Sequence, residues 1–150
     1  MHATSTSTSL VDRVLDVFDR ASPPSVAYAH CDIPCGIYDP SAATIAAQTV
    51  AKMIEKITGA TGSDDASRNT YIRSIAVKEE HAQICKKELL ILWTDYFKPE
   101  HLEKYPKLHD TFWKAAKLCS KNKQSVDAAA AADLQAAVKE IADIFWATKK

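Results

Sequence analysis

"SRNTYIRSIAVKEEHAQICKKELLILWTDYF", residues 67–97, carries Ile72, Ile75, Ala82, Cys85, Leu89, Leu92 and Tyr96 at steps of three, four or seven. That spacing places them on one face of an α-helix. The stretch contains neither glycine nor proline, so nothing in it breaks a helix until Pro99. At ~1.5 Å per residue the helix spans roughly 45 Å. A helix this long with one apolar stripe needs other helices laid against it, and the flanking sequence supplies them.

Upstream, "GATGSDDAS" (59–67) reads as a turn, and the segment before it as a helix from about Asp39-Pro40 to Thr58. Asp39 has the form of an N-cap, Pro40 of a first helical residue, and Gly59 of a stop. Ile45, Val50, Met53, Ile54 and Ile57 are its expected buried residues. Downstream, "PEHLEK" (99–104) reads as a short helical turn with His101 and, beyond it, His109 solvated. Pro106 opens a third helix with Leu108, Phe112, Ala115 and Cys119 inward. Ser125 caps a fourth, whose Leu134, Val138, Ile141, Phe145 and Thr148 repeat at helical spacing. Four amphipathic helices with short links predict an all-α, antiparallel up-down four-helix bundle over residues 39–150.

Composition narrows the partners. A length of 150 residues suits one domain, and a formal net charge of zero gives no global pull toward nucleic acid or an anionic membrane. No apolar run approaches the ~18 residues of a membrane span. Four irregularly spaced cysteines in a chain with three glycines do not form a secreted disulfide framework. A reducing compartment is the expectation, with cytoplasm as the default and an organelle as the alternative if the N-terminal segment is a transit peptide.

Residues 1–29 differ from the rest. A Ser/Thr-rich start leads to Leu10, Val11, Val14, Leu15 and Phe18 at helical spacing behind Ser9, then to a proline-containing linker ending Ala27-Tyr28-Ala29. The small residues resemble a processing site before His30. Asp12, Asp16 and Asp19 interrupt the apolar region a secretory signal needs. Two readings stand, a helical N-terminal arm and a removable leader.

Between this segment and the bundle lies "HCDIPCGIYDP", residues 30–40. His30, Cys31 and Cys35 offer imidazole and thiolate donors within six residues, while Pro34 and Gly36 let the backbone turn sharply. Such donors suit nickel or copper better than metals that prefer oxygen. A Cys31–Cys35 disulfide or two idle thiols are the alternatives. Other metal patterns fail: no glutamate lies three residues before a histidine, and neither His-Glu-x-x-His nor Cys-x-x-Cys occurs. His81 and Cys85 share a helical face, but read as a surface residue and a core residue. Trp93, Tyr96 and Phe97 read as packing at a helix end.

"HCDIPCGIYDP" resembles the N-terminal hook of the nickel superoxide dismutase family, and "LWTDYFKPEHLEKYPKLH" (92–109) and "IFWATKK" (144–150) resemble two further segments of it. The similarity covers about residues 30–150. It implies a leader, 1–29, removed by a maturation protease that cuts before His30. It implies nickel held by the amine and imidazole of His30, the amide nitrogen and thiolate of Cys31, and the thiolate of Cys35. Two thiolates and an ionised amide push electron density onto nickel and bring its trivalent state within reach, as dismutation of superoxide to oxygen and hydrogen peroxide requires. Asp32 and Tyr38 match the hook's polar positions, and Tyr96 and Lys98 match residues lying against it. The resemblance further implies a cis Ile33–Pro34 bond and a homohexamer. It departs from the family at Ala46 and His81, where the members carry a glutamate and an arginine that orient the axial imidazole; His81 is a candidate for part of that role. A non-catalytic nickel-binding or thiol-redox protein that retains the hook is the alternative function.

Overall fold

The structure, a computed structural model, describes residues 36–149. The leader 1–29, the ligand candidates His30, Cys31 and Cys35, Asp32 and the Ile33–Pro34 bond fall outside the described residues. The helices are α1 (Ser41–Thr58), α2 (Asp65–Ile91), α3 (Pro99–Lys104), α4 (Leu108–Gln124) and α5 (Ala128–Thr148), with a π-helical turn, Leu92–Tyr96, continuing α2. α1 packs on α2 and α5, and α4 packs on the same two helices. The four long helices therefore form a ring in chain order, the antiparallel bundle expected from the stripes. Among the described residues, no helix is long and apolar enough to cross a membrane.

Capping side chains set the boundaries. The Asp39 carboxylate accepts the Ser41 N–H at 2.6 Å and opens α1 one residue later than the spacing implied. Asp64 caps α2, accepting from the Ser67 N–H at 3.0 Å and from its hydroxyl at 2.6 Å. α4 begins two residues after Pro106. The expected cap of the last helix, Ser125, instead closes α4, its N–H on the Lys121 carbonyl at 3.1 Å. Asp127 takes the cap of α5, accepting from the Ala129 and Ala130 N–H groups at 2.9 and 3.1 Å. A carboxylate supplies both the acceptor and the negative charge that a helix N-terminus favours.

Val50, Ile54, Ala82, Cys85, Leu89, Leu92, Leu108, Phe112, Ala115, Cys119, Leu134, Val138, Ile141 and Phe145 form the shared core. Of the other expected core residues, Met53 and Ile75 are half-buried and two are exposed. Ile45 is 61% exposed, because α1 turns the smaller Ala43, Ala46 and Ala47 inward and lets its neighbours approach closely. Ile72 is 64% exposed. Its reason lies at Lys78, a buried residue of α2 whose Nζ donates to the carbonyls of Asn122 (2.5 Å), Lys123 (2.9 Å) and Ser125 (3.1 Å). The α4–α5 corner thus meets α2 at Lys78, more than three turns from the start of α2. Those first turns run about 20 Å beyond the corner, so Ile72 has no helix over it.

Buried Asn122 ties the same corner, donating through Nδ2 to the carbonyls of Leu118 (3.0 Å) and Ala130 (2.9 Å). That end of the bundle is held by polar groups. The opposite end gathers the start of α1, the π turn, α3 and the end of α5.

Candidate metal centre

The described chain enters this second end at Gly36, whose φ of +70° lies in the left-handed region that glycine adopts without a Cβ clash. Two residues on, the Tyr38 ring meets that of Tyr96, with centroids 5.6 Å apart and planes tilted by 58°. Tyr96 is the hub of the cluster. Its ring lies 4.4 Å from Phe145, 5.0 Å from Phe97 and 5.7 Å from the stacked imidazole of His101, centroid to centroid. Its hydroxyl is 2.7 Å from Thr148 Oγ1. Thr148 donates its single hydroxyl proton to the Phe145 carbonyl at 2.7 Å, so Tyr96 is the donor to Thr148. The phenol proton is committed to α5, and the phenol oxygen keeps its acceptor capacity.

The π turn puts Tyr96 there. Phe97 N–H bonds to the Leu92 carbonyl at 3.1 Å, a five-residue step, and the extra residue rotates the next part of the chain away from the α-helical stripe. Trp93, in the same turn, stacks on Phe112 with planes 1° apart and donates through Nε1 to His109 Nδ1 at 2.7 Å. Core packing therefore describes Trp93 and Phe97, whereas Tyr96 bridges core, α5 and the approach from Tyr38.

Lys98 caps α3 with an exposed side chain, and its backbone N–H donates to His101 Nδ1 at 3.0 Å. That bond holds the imidazole against Tyr96, so His101 is half-buried packing rather than the solvated residue the sequence suggested. The cation that touches the tyrosine is Lys149. Its Nζ lies 5.3 Å from the Tyr96 and Phe145 ring centroids and 3.5 Å from the Gly36 carbonyl oxygen. It also adds to what holds the Asp39 carboxyl below its ordinary value, after the hydrogen bonds from Ser41. Sequence reading missed Lys149, Thr148 and His101 as parts of this cluster; only the likeness of "IFWATKK" to a known segment marked the first two.

The two positions that depart from the family pattern are Ala46 of α1 and His81 of α2. Ala46 is buried in the α1 seam. His81 is half-buried, with Nδ1 2.9 Å from the Val77 carbonyl of its own helix.

Among the described residues, no group of three histidine, cysteine, aspartate or glutamate side chains could hold a metal ion. The donor set that suits nickel stands directly before Gly36 in sequence: one imidazole and two thiols, soft enough for a metal that must change oxidation state. The profile of the nickel-containing superoxide dismutase family matches residues 25–149, donors and bundle together. This chain belongs to the nickel-containing superoxide dismutase family.

Two curated members give the scale of the likeness. Superoxide dismutase [Ni] of Streptomyces seoulensis is 43% identical over 122 residues, 81% of this chain and 89% of that protein. The protein of the same name from Streptomyces coelicolor (strain ATCC BAA-471 / A3(2) / M145) gives the same identity over the same length. A native nickel superoxide dismutase structure superposes with a TM-score of 0.72 at 40% identity, covering 81% of this chain and all of that one. The nickel superoxide dismutase likeness thus extends from sequence to the fold of the bundle.

Proposed function

We infer that this chain dismutes superoxide to oxygen and hydrogen peroxide at a nickel centre. The observation that carries the inference is the family match across a His30, Cys31, Cys35 donor set that leads directly into the Tyr38–Tyr96 contact. Nickel bound there would supply one-electron redox chemistry between two oxidation states, as dismutation requires. His30 would hold it through amine and imidazole, Cys31 through amide nitrogen and thiolate, and Cys35 through thiolate.

Superoxide is an anion and the chain has no net charge, so attraction must be local. Lys98 and Lys149 supply it, Lys149 from its place over Tyr96. Peroxide formation consumes two protons. Tyr96 holds its proton toward Thr148 and offers its oxygen as acceptor, while Tyr38 stands 5.6 Å away by ring centroid, so the pair is suited to pass protons and narrow the approach to small anions. Asp32 would order the hook as a polar partner. Hexamer formation is part of the proposal; exposed Ile45, Ile72, Trp113 and Trp146 provide apolar surface for assembly to cover.

Superoxide consumption and metal content, measured on nickel-loaded and nickel-free processed protein, test the inference. Turnover that follows bound nickel is expected. Nickel retained without turnover would favour a binding protein.

A further inference from the structure

Tyr96 and Lys98 stand either side of Phe97, and one imidazole engages both. His101 N–H donates to the Lys98 carbonyl at 2.9 Å, while the Lys98 N–H donates back to His101 Nδ1 at 3.0 Å. This reciprocal pair at the start of α3 resembles a capping box, with histidine where glutamate or glutamine is usual. Pro99 fixes its shape. A residue before proline is biased to extended backbone, and Lys98 has φ −119° and ψ 165°. Proline then suits the first helical position, and the Lys98 N–H is left to the side chain three residues on.

The same bond sets the tautomer and plane of the imidazole. Nδ1 accepts, so the neutral ring carries its proton on Nε2. The ring is held with its face along Tyr96, planes 16° and centroids 5.7 Å apart. Phe97 meets it edge-on, with centroids 5.5 Å apart and planes at 85°. Residues 96, 97 and 98 therefore all pack or bond to His101, through ring, ring and backbone in turn. From α5, Phe145 meets the Tyr96 ring and Thr148 its hydroxyl; His101 is the contact from α3.

We propose that His101 is a positioning residue for superoxide turnover, fixing the Tyr96 phenol and the Lys98 cation relative to each other through its stacked face and its Nδ1 atom. The proposal rests on the nickel reading above, and His101 acts in it only through these two neighbours. Their work is separable. Tyr96 passes protons and narrows the approach, whereas Lys98 draws the anion in from a distance. Asparagine at 101 places an acceptor oxygen where His101 has Nδ1, and so keeps the cap without the stack. Phenylalanine keeps the stack without the acceptor.

The test compares His101→Asn with His101→Phe, each checked by circular dichroism for wild-type helical content. Each retains one of the two contacts, so either variant alone tests the contact it lacks. In the nickel-free 150-residue chain, NMR of isotope-labelled tyrosine reads the Tyr96 signal, identified by its loss in Tyr96→Phe. That signal should shift in His101→Asn and stay near its wild-type position in His101→Phe. Amide exchange at Lys98 should do the opposite, slow in His101→Asn and fast in His101→Phe. In nickel-loaded processed protein, His101→Asn should change turnover and inhibition by azide about three- to tenfold in the direction of Tyr96→Phe, with the ionic-strength dependence of kcat/KM kept. His101→Phe should flatten that dependence and leave azide inhibition near wild type. Wild-type turnover, salt response and azide inhibition in both variants would overturn the positioning role alone, as would a Tyr96 signal that moves equally in both. Nickel-loaded wild type without turnover would instead overturn the proposed function, and His101's part in it.

Discussion

Tyr96 shows at the scale of one residue how packing and chemistry share a side chain. Its ring belongs to a cluster with Phe97 and Phe145, and its hydroxyl crosses to Thr148 on another helix. Tyr96→Phe keeps the ring and removes the hydroxyl. Thr148 then loses a donor at a half-buried position, worth about 1 kcal/mol of stability. Nickel content should be unchanged, because Tyr96 is not among the proposed ligands, while turnover falls or inhibition by small anions shifts. Metal analysis and superoxide consumption on the same sample check this, and indifference of both turnover and inhibition would return Tyr96 to packing alone. The aromatic character of "LWTDYF" was legible in the sequence, but its partners were not. Thr148 is more than fifty residues away, and nothing in local spacing reveals that its own proton goes to Phe145, which fixes the direction of the Tyr96 bond. Lys149 was hidden for the same reason: it acts by position over a ring, not through a motif.

Elements were easier to read than their ends. The stripes of α2, α4 and α5 placed Cys85, Leu89, Phe112, Cys119, Leu134 and Phe145 correctly in the core, because apolar periodicity reports directly which face meets a neighbour. Ile72 broke the rule, since periodicity cannot say where the neighbouring helix stops; Lys78 shows that it stops short. The cap at Asp127 was missed because Ser125 is an equally plausible cap by type. Asp127→Ala should lower the melting temperature at neutral pH. The Asp127 carboxyl is held below its ordinary value, first by the Ala130 backbone and then by Lys121. Its charged form is therefore favoured by folding, and its contribution is present above the unfolded value near ~4 and lost as pH falls further. Melting curves of wild type and variant should accordingly converge below about pH 4.

The π turn carries the other prediction at this scale. An α-helix advances about 100° per residue, so removing one residue from the turn restores α geometry and swings the downstream residues around the axis by about that angle. Thr94 is the residue to delete, since it is exposed and bonds only locally, to the Leu90 carbonyl and Asp95. Helicity and nickel content should survive in the deletion variant while turnover drops at least tenfold. Retained turnover would show that the hook does not depend on where the turn aims Tyr96.

At the scale of the whole molecule the two ends of the bundle have different work. Lys78 and Asn122 lock one end with buried hydrogen bonds, while the other gathers Tyr38, Tyr96 and Lys149 beside Gly36, where the hook joins the bundle in sequence. The stripes and caps described for the bundle all lie beyond Pro34. The proposed metal site depends on residues 1–29. While Ala29 is attached, the His30 nitrogen belongs to a peptide bond whose lone pair is delocalised into the carbonyl. Cutting between Ala29 and His30 converts it into an amine titrating near ~8, with a lone pair available to nickel. The 150-residue chain should therefore show the full helical content of the processed protein yet consume no superoxide in excess nickel, and the cut should switch activity on. Intact mass, circular dichroism, nickel content and superoxide consumption on both forms decide it. Equal activity in the uncut chain would remove the His30 amine from the ligand set and leave the two thiolates to hold nickel with other donors.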